Sequence, residues 1–286
     1  MSQIAVRSSR PVPTWDLLSL PTLVGHIWRY RELITQFAAR DALTRHKGTM
    51  LGAAWMVVNP LLQLLVYTFL FTVIFPSKWS RLDKAGVTSE FVLTFFCGFV
   101  VYSVFSEVAG KSPGLVLDRP NLVRKVVFPL ETLPVATLLS ALLFGSVGLV
   151  LLLAAELVIT GRIPLTALLF PIVLPPLLLL SLAAGWFLAA LGVYIRDTRQ
   201  VVVVVLQLFF FVTPVFYPPE SVPDAYRWAI DYNPFTPIIQ SARQTLLWDE
   251  QPDWAGLGIV TLIGFVLAQL GFAWFMKVKR GFPDVM

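Results

Sequence analysis

Long apolar stretches are the feature of this sequence that most limits its possible folds. A helix needs about 20 mostly apolar residues to cross the roughly 30 Å hydrocarbon core of a bilayer. Six stretches have that character: residues 50–75, 91–110, 133–160, 165–193, 201–217 and 256–276. Only 14% of the residues are charged, whereas soluble domains have about 25%. The sequence therefore predicts an all-α integral membrane protein with six transmembrane helices, forming one domain over residues 1–286.

The basic residues are unevenly distributed around these spans. Lys and Arg are concentrated before the first span, between the second and third, between the fourth and fifth, and after the sixth. By the positive-inside rule these segments lie in the cytoplasm, so both termini are predicted to be cytoplasmic. The same residues are scattered around apolar segments and form no basic patch, so we expect no nucleic acid partner.

Residues 1–48 are predicted to form a cytoplasmic tail and an interface helix. Apolar residues recur there at helical spacing, at Ile27, Tyr30, Ile34, Phe37 and Ala38. Asp41 interrupts this stripe. The helix could lie along the cytoplasmic membrane surface or pack on a soluble partner, and the adjoining first span favours the membrane surface.

The segment NLVRKVVFPLETLPV, Asn121–Val135, is too short and too basic to cross a bilayer. A helical wheel separates its aliphatic residues from Arg124 and Lys125, with Phe128 between the two arcs. Pro129 is predicted to end this helix and Thr132 to cap the third span. Phe128 could dock on a partner protein or enter the lipid headgroups, and the residues alone leave both interpretations open.

Aromatic and amide residues form stripes on two predicted spans. The first span has Trp55, Asn59, Gln63, Tyr67 and Phe71 at four-residue intervals, and the fifth has Gln207, Phe210, Pro214 and Tyr217. Amide groups are costly in lipid, so both stripes should face protein or water. Such stripes suit sugars, whose apolar faces stack on rings while their hydroxyls bind amides. Ordinary helix packing is the alternative.

The outer segment between the fifth and sixth spans is predicted to contain two short helices. Ser221 precedes Asp224 by three residues, as in a capping box, and Thr236-Pro237 marks a second start. Helices of this length cannot span a bilayer. They could form a re-entrant pair or a cap over the outer surface, and the apolar side chains of the second helix favour the re-entrant pair.

Signals of enzymatic chemistry are missing from the sequence. It has no G-x-x-x-x-G-K-[ST] phosphate-binding loop, no nucleophile elbow and a single cysteine, Cys97. We therefore predict a protein that is not an enzyme and binds no metal. Within the spans the carboxylates are Glu107 and Glu156, and Glu107 precedes Lys111 by four residues, the favourable order for a helical ion pair. A paired Glu107 makes an ion-coupled carrier less attractive.

Three motifs in order resemble the membrane (permease) subunits of ABC-2 type polysaccharide exporters, of the O-antigen and teichoic-acid type. Arg31–Phe75 resembles their interface helix and first span, with L-G-x-x-W and N-P motifs. Asn121–Val135 resembles their cytoplasmic coupling helix, which fits a cleft in an ATPase subunit. YNPFTPIIQSARQTLLW, Tyr232–Trp248, resembles their extracellular gate region.

The resemblance implies roles for individual residues. It implies ATPase docking through Asn121, Arg124, Lys125, Phe128 and Glu131. It implies an extracellular gate at Tyr232, Asn233, Pro234, Phe235 and Ile238. Added to the stripes, it implies a channel that contacts glycan through Trp55, Asn59, Gln63, Tyr67, Phe71, Gln207, Phe210 and Tyr217.

The resemblance also implies an assembly and a substrate. Two copies of this chain would join two ATPase subunits, which bind ATP and Mg²⁺, so this chain needs no cofactor of its own. The substrate would be a lipid-linked glycan, and the location the bacterial inner (cytoplasmic) membrane. An ABC-2 exporter of a drug or small molecule is the alternative, followed by an ion-coupled carrier.

Overall fold

The structure, a computed structural model, is helical throughout the residues that it describes. These are Gly25 and residues 27–45, 48–74, 87–124 and 128–286, without the side chains of residues 53, 71, 72, 87–90 and 124. Within these ranges lie the α-helices α1 (Arg31–Thr44), α2 (Trp55–Phe69), α3 (Val87–Lys111), α4 (Pro120–Arg124), α5 (Thr132–Thr160), α6 (Leu174–Tyr194), α7 (Thr198–Val212), α8 (Asp224–Asp231), α9 (Phe235–Leu246), α10 (Trp254–Val278) and α11 (Phe282–Val285). No strand occurs in the described ranges, which confirms the all-α fold class.

Four of the predicted spans correspond to helical segments long and apolar enough to cross a membrane. Among the described residues these segments are Phe91–Gly114, Thr132–Thr160, Leu165–Tyr194 and Trp254–Val285. In place of the first and fifth spans lie α2 and α7, shorter apolar helices of 15 residues each. A π-helical turn, Leu70–Ile74, extends α2. The total of six spans therefore stays a prediction.

The fourth predicted span changes helix type along its length. A 3₁₀ segment, Leu165–Val173, contains Pro171 and precedes α6. Pro175 and Pro176 fall in the first turn of α6. A proline there loses no helical hydrogen bond, because the first N–H groups of a helix have no partner within it.

The core is built around α3, which packs against α5, α6, α7 and α9. Phe91, Phe95 and Cys97 of α3 are fully buried. On the other side of the core, α10 packs along α6. Trp186 of α6 is fully buried, and its indole N–H donates to the Glu131 carbonyl at 2.9 Å. These contacts place α3 at the centre, with α2 and α7 on one side of it.

The predicted interface helix is confirmed as a helix, and its buried face contacts the chain's own third span. Ile34 and Ala38 of α1 are buried, and α1 packs against α5. Asp41, which interrupts the apolar stripe, accepts hydrogen bonds from Lys111 of α3 and Ser140 of α5, both at 2.8 Å. The polar interruption therefore holds α1 to two spans.

The two short helices predicted between the fifth and sixth spans occur as α8 and α9, but their starts differ from the prediction. The capping box is wrong: α8 begins at Asp224, and the Ser221 hydroxyl donates to the Pro218 carbonyl. α9 begins at Phe235, whose N–H donates to the Asn233 side chain at 2.9 Å. Ile238 and Ile239 are fully buried, because α9 packs between α3 and the 3₁₀ segment of residues 165–173.

Candidate functional site

A groove of about 1020 Å³ lies between α2, α3 and α7. It contains two residues from each predicted stripe: Gln63 and Tyr67 of α2, and Gln207 and Phe210 of α7. The fold therefore brings together parts of two stripes that are far apart in the sequence. Below, this is called the groove.

Aromatic rings form one wall of the groove. Phe210 lies between two tyrosines, with ring centroids 5.9 Å from Tyr67 and 5.2 Å from Tyr102. The Tyr102 hydroxyl donates to the Leu206 carbonyl of α7 at 2.6 Å, which joins α3 to α7. Exposed amides at Gln63 and Gln207 stand beside these rings. This combination can stack on flat apolar faces and hydrogen-bond to hydroxyl groups.

The other end of the groove carries charged side chains. Arg45 donates to both carboxylate oxygens of Glu107 at 2.9 Å, and Lys111 lies 3.0 Å from the same carboxylate. The guanidinium of Arg45 also lies 4.0 Å from the ring centroid of Phe144. The predicted pair of Glu107 and Lys111 is confirmed. The contact from Arg45, which follows α1, was not predicted.

The remaining stripe residues lie elsewhere. Asn59 is exposed and Trp55 is partly buried, and neither lines the groove. Tyr217 also lies outside it, and its hydroxyl donates to the Val212 carbonyl at 2.9 Å, at the end of α7. The side chain of Phe71 is not among those described. Glycan contact by these four residues stays a prediction.

Sequence reasoning missed the contribution of α3 to the groove. Besides Tyr102, this helix supplies Phe99, Ser103, Ser106 and Gly110. Their spacing of four, three and four residues places them on one helical face. That spacing could have indicated a polar face on α3 from the sequence alone. It was overlooked because the polar residues are small and lie within an apolar run.

The predicted gate residues lie mostly inside the protein. Tyr232 is 85% exposed, whereas Asn233 is 5% exposed and donates to the Thr213 hydroxyl at 3.1 Å. Phe235 is buried, with its ring centroid 4.5 Å from Phe105 and 5.6 Å from Phe209. Pro234 is partly buried and Ile238 fully buried. The start of α9 is thus inserted between α3 and α7, behind the groove wall.

The predicted coupling helix is shorter than expected. The described part of α4 is Pro120–Arg124, and Phe128 is not helical, so the prediction of a helix through Phe128 is wrong at that residue. Phe128 is partly buried, with its ring centroid 5.2 Å from Phe37 of α1. Asn121 is exposed. Lys125 and the Arg124 side chain lie outside the described part of the chain.

Two further residues of this segment have partners within the chain. Glu131 is 4% exposed and accepts a hydrogen bond from Lys279 at 2.9 Å, and its role in docking stays a prediction. Thr132 does not cap α5, because it lies inside the helix and its hydroxyl donates to the Pro129 carbonyl.

Comparisons with known proteins agree on one family. The family model for the ABC-2 type transporter matches residues 32–247. The chain is 30% identical over 264 residues to the O-antigen export system permease protein RfbA of Myxococcus xanthus, covering 92% of this chain and 98% of that protein. It is 24% identical over 257 residues to the permease of the same name from Klebsiella pneumoniae, covering 89% and 95%. It is 20% identical over 240 residues to the polysialic acid transport protein KpsM of Escherichia coli, covering 82% and 88%.

The matched region includes every element that forms the groove. Residues 32–247 extend from α1 through α2, α3 and α7 to Leu247, the first residue after α9. Together with the four long apolar helices, this match identifies a multi-pass membrane protein. The chain belongs to the ABC-2 type transporter family.

Proposed function

We propose that this chain is the channel-forming membrane subunit of an ATP-driven exporter of a lipid-linked polysaccharide, such as an O-antigen or a teichoic acid. The names of its relatives, which are O-antigen and polysialic acid export proteins, support this substrate class. We also propose a homodimer with two separate ATPase subunits in the bacterial inner membrane, both termini being cytoplasmic. ATP and Mg²⁺ would bind to the ATPase, since this sequence has no phosphate-binding loop.

The groove carries the proposal. Gln63, Tyr67, Gln207 and Phe210 line it together, which places rings and amides from α2 and α7 on one surface. A sugar polymer offers a repeating series of apolar faces and hydroxyls, so one such surface can bind successive units. In a homodimer, two grooves of this kind would face a common path.

A chain of contacts supports coupling of the groove to an ATPase. Phe128, the proposed docking residue, touches Phe37 of α1. Asp41, also in α1, and Arg45, which follows it, bind Lys111 and Glu107 at the charged end of the groove. Movement of the Phe128 segment would therefore reach the groove through α1.

The same contacts argue against an ion-coupled carrier. Such a carrier needs an intramembrane carboxylate that can gain and lose a proton or an ion. Glu107 is held by ion pairs with both Arg45 and Lys111. Glu107 is therefore suited to a structural ion pair.

Replacement of Tyr67 by alanine tests the function. In cells that lack the native chain and contain its ATPase, Tyr67→Ala should slow polysaccharide export while the amount of inserted protein stays normal. We expect a loss on the order of 1 kcal/mol, or about fivefold in rate, as for one aromatic contact. Combining it with Gln207→Ala should lower export further. The measurement is surface polysaccharide per inserted molecule.

Tyr226→Ala is the matched control, since Tyr226 lies on α8 and is 67% exposed. It should export as the parent does. Normal export per inserted molecule by the Tyr67 and Gln207 double variant would remove the groove from the transport path. A loss of inserted protein instead would assign Tyr67 to helix packing.

A further inference from the structure

Arg243 is a fully buried charged residue on α9 that joins three elements. Its Nε donates to the Thr94 carbonyl of α3 at 3.1 Å. Its second terminal nitrogen, Nη2, donates to the Val215 carbonyl, in the turn after α7, at 2.6 Å. A buried charge is costly unless hydrogen bonds satisfy it. These bonds therefore fix α9 to α3 and to the end of α7.

The turn that Arg243 holds carries aromatic residues at the outer end of the groove. The ring centroid of Phe216 lies 5.8 Å from that of Phe210, 5.5 Å from that of Phe211 and 5.1 Å from that of Tyr217. We call these four residues the outer aromatic cluster. Phe210 and Phe211 also line the groove. Because Val215 directly precedes Phe216, the bond from Arg243 fixes the backbone that positions the cluster.

A glycine on α3 makes room for this contact. A Cβ atom at Gly98 would lie 2.9 Å from Nη2 of Arg243 and 3.3 Å from the Val215 oxygen. The first distance is too short for ordinary packing, so a larger residue would push against the guanidinium group of Arg243 beside Val215. Gly98 of α3 thus leaves the space in which Arg243 of α9 reaches Val215.

We propose that Arg243 is a positioning residue that holds the outer aromatic cluster across the end of the groove and so keeps the transport path closed at rest. The proposal rests on the proposed channel function, because a closed end matters only in a channel. The planar guanidinium donates from two nitrogens to two carbonyls, and a lysine ammonium cannot reproduce that fork. Loss of one hydrogen bond from a charged group shifts an equilibrium on the order of tenfold.

The test measures leakage without ATP, ATPase or polysaccharide. The purified chain is reconstituted into liposomes containing glucose, and glucose release is measured per folded protein. Arg243→Gln, Arg243→Lys and Gly98→Ala should each release glucose faster than the parent, on the order of tenfold for the loss of one such bond. Gly98→Ala is the most specific variant, since it retains Arg243 and displaces its contact. A purely structural role would lower the amount of folded protein without raising release per molecule.

Arg227→Gln is the matched control. Arg227 is an exposed arginine of α8, with Asp224 and Asp231 at 4.0 and 3.9 Å, and its loss should leave release unchanged. Parent-like release by folded Gly98→Ala or Arg243→Lys would overturn the proposal, whether or not Arg243→Gln folds. If the parent exports polysaccharide with its ATPase in cells, that result overturns only the role of Arg243. Failure of the parent to export would instead overturn the proposed function.

Discussion

At the scale of single residues, partners on distant helices decide what a polar side chain does. Asp41 is the clearest case, because its carboxylate binds Lys111 and Ser140 at 2.8 Å. Burial opposes its ionisation, but the hydrogen bonds from Lys111 and Ser140 and the charges of Lys111 and Arg119 outweigh burial. The pKa of Asp41 is therefore below its ordinary value of 3.8. A lowered pKa means that the ionised carboxylate stabilises the folded protein.

Replacing Asp41 by asparagine should loosen α1 from α3 and α5. We expect the free energy of unfolding to fall by about 1 kcal/mol, since the ion pair of Asp41 with Lys111 is only partly buried. The measurement is thermal unfolding of the purified protein at neutral pH and in acid. The parent should keep this contribution above pH 3.8 and lose it as the pH falls through the lower pKa of the folded state. The difference in stability between the parent and the Asp41→Asn variant should then disappear in acid. An equal difference in stability at both pH values would show that the ionised carboxylate of Asp41 is not the cause of that difference.

The sequence could not reveal such partners. It predicted the Glu107–Lys111 pair because both residues are on one helix, four positions apart. The partners of Asp41 and Glu131 are Lys111 and Lys279, each many residues away. The spacing of a stripe predicts which face of a helix is polar, but not which helix it will meet.

At the scale of helices, the length and period of the apolar stretches predicted which helices occur better than where each helix begins. The predicted second, third, fourth and sixth spans and the helices α1, α8 and α9 occur near their expected positions. Helix starts were less predictable, because Ser221 and Thr132 hydrogen-bond to nearby carbonyls instead of capping. Such local alternatives compete with caps and leave the same sequence pattern.

The segment after α4 is the element for which a partner contact is predicted. Phe128→Asp should prevent co-purification of the ATPase with the membrane subunit, because a charge would enter an apolar cleft. Phe128→Leu is the control, since it keeps an apolar side chain against Phe37, and it should retain the ATPase. Both variants should insert normally. Recovery of parent amounts of ATPase with Phe128→Asp would show that docking does not need Phe128.

At the scale of the whole molecule, the groove could be predicted only in part from the sequence. Two of its walls were visible as stripes on the predicted first and fifth spans, whereas α3 was not recognised as the third. Packing supplied the rest, since α3 is the central helix and contacts both α2 and α7. Asn59 lies one turn before Gln63 on α2 and Tyr217 lies beyond the end of α7, and both are outside the groove.

Photo-cross-linking during export tests most directly whether the groove is the transport path. A diazirine amino acid is placed at Gln63 or Gln207 in the groove, or at Leu262 of α10, which is 66% exposed and serves as the control. The complex with its ATPase is illuminated while it exports polysaccharide. We predict glycan adducts at positions 63 and 207 that require ATP hydrolysis, and none at position 262. Adducts at position 262 without adducts at 63 and 207 would contradict the account.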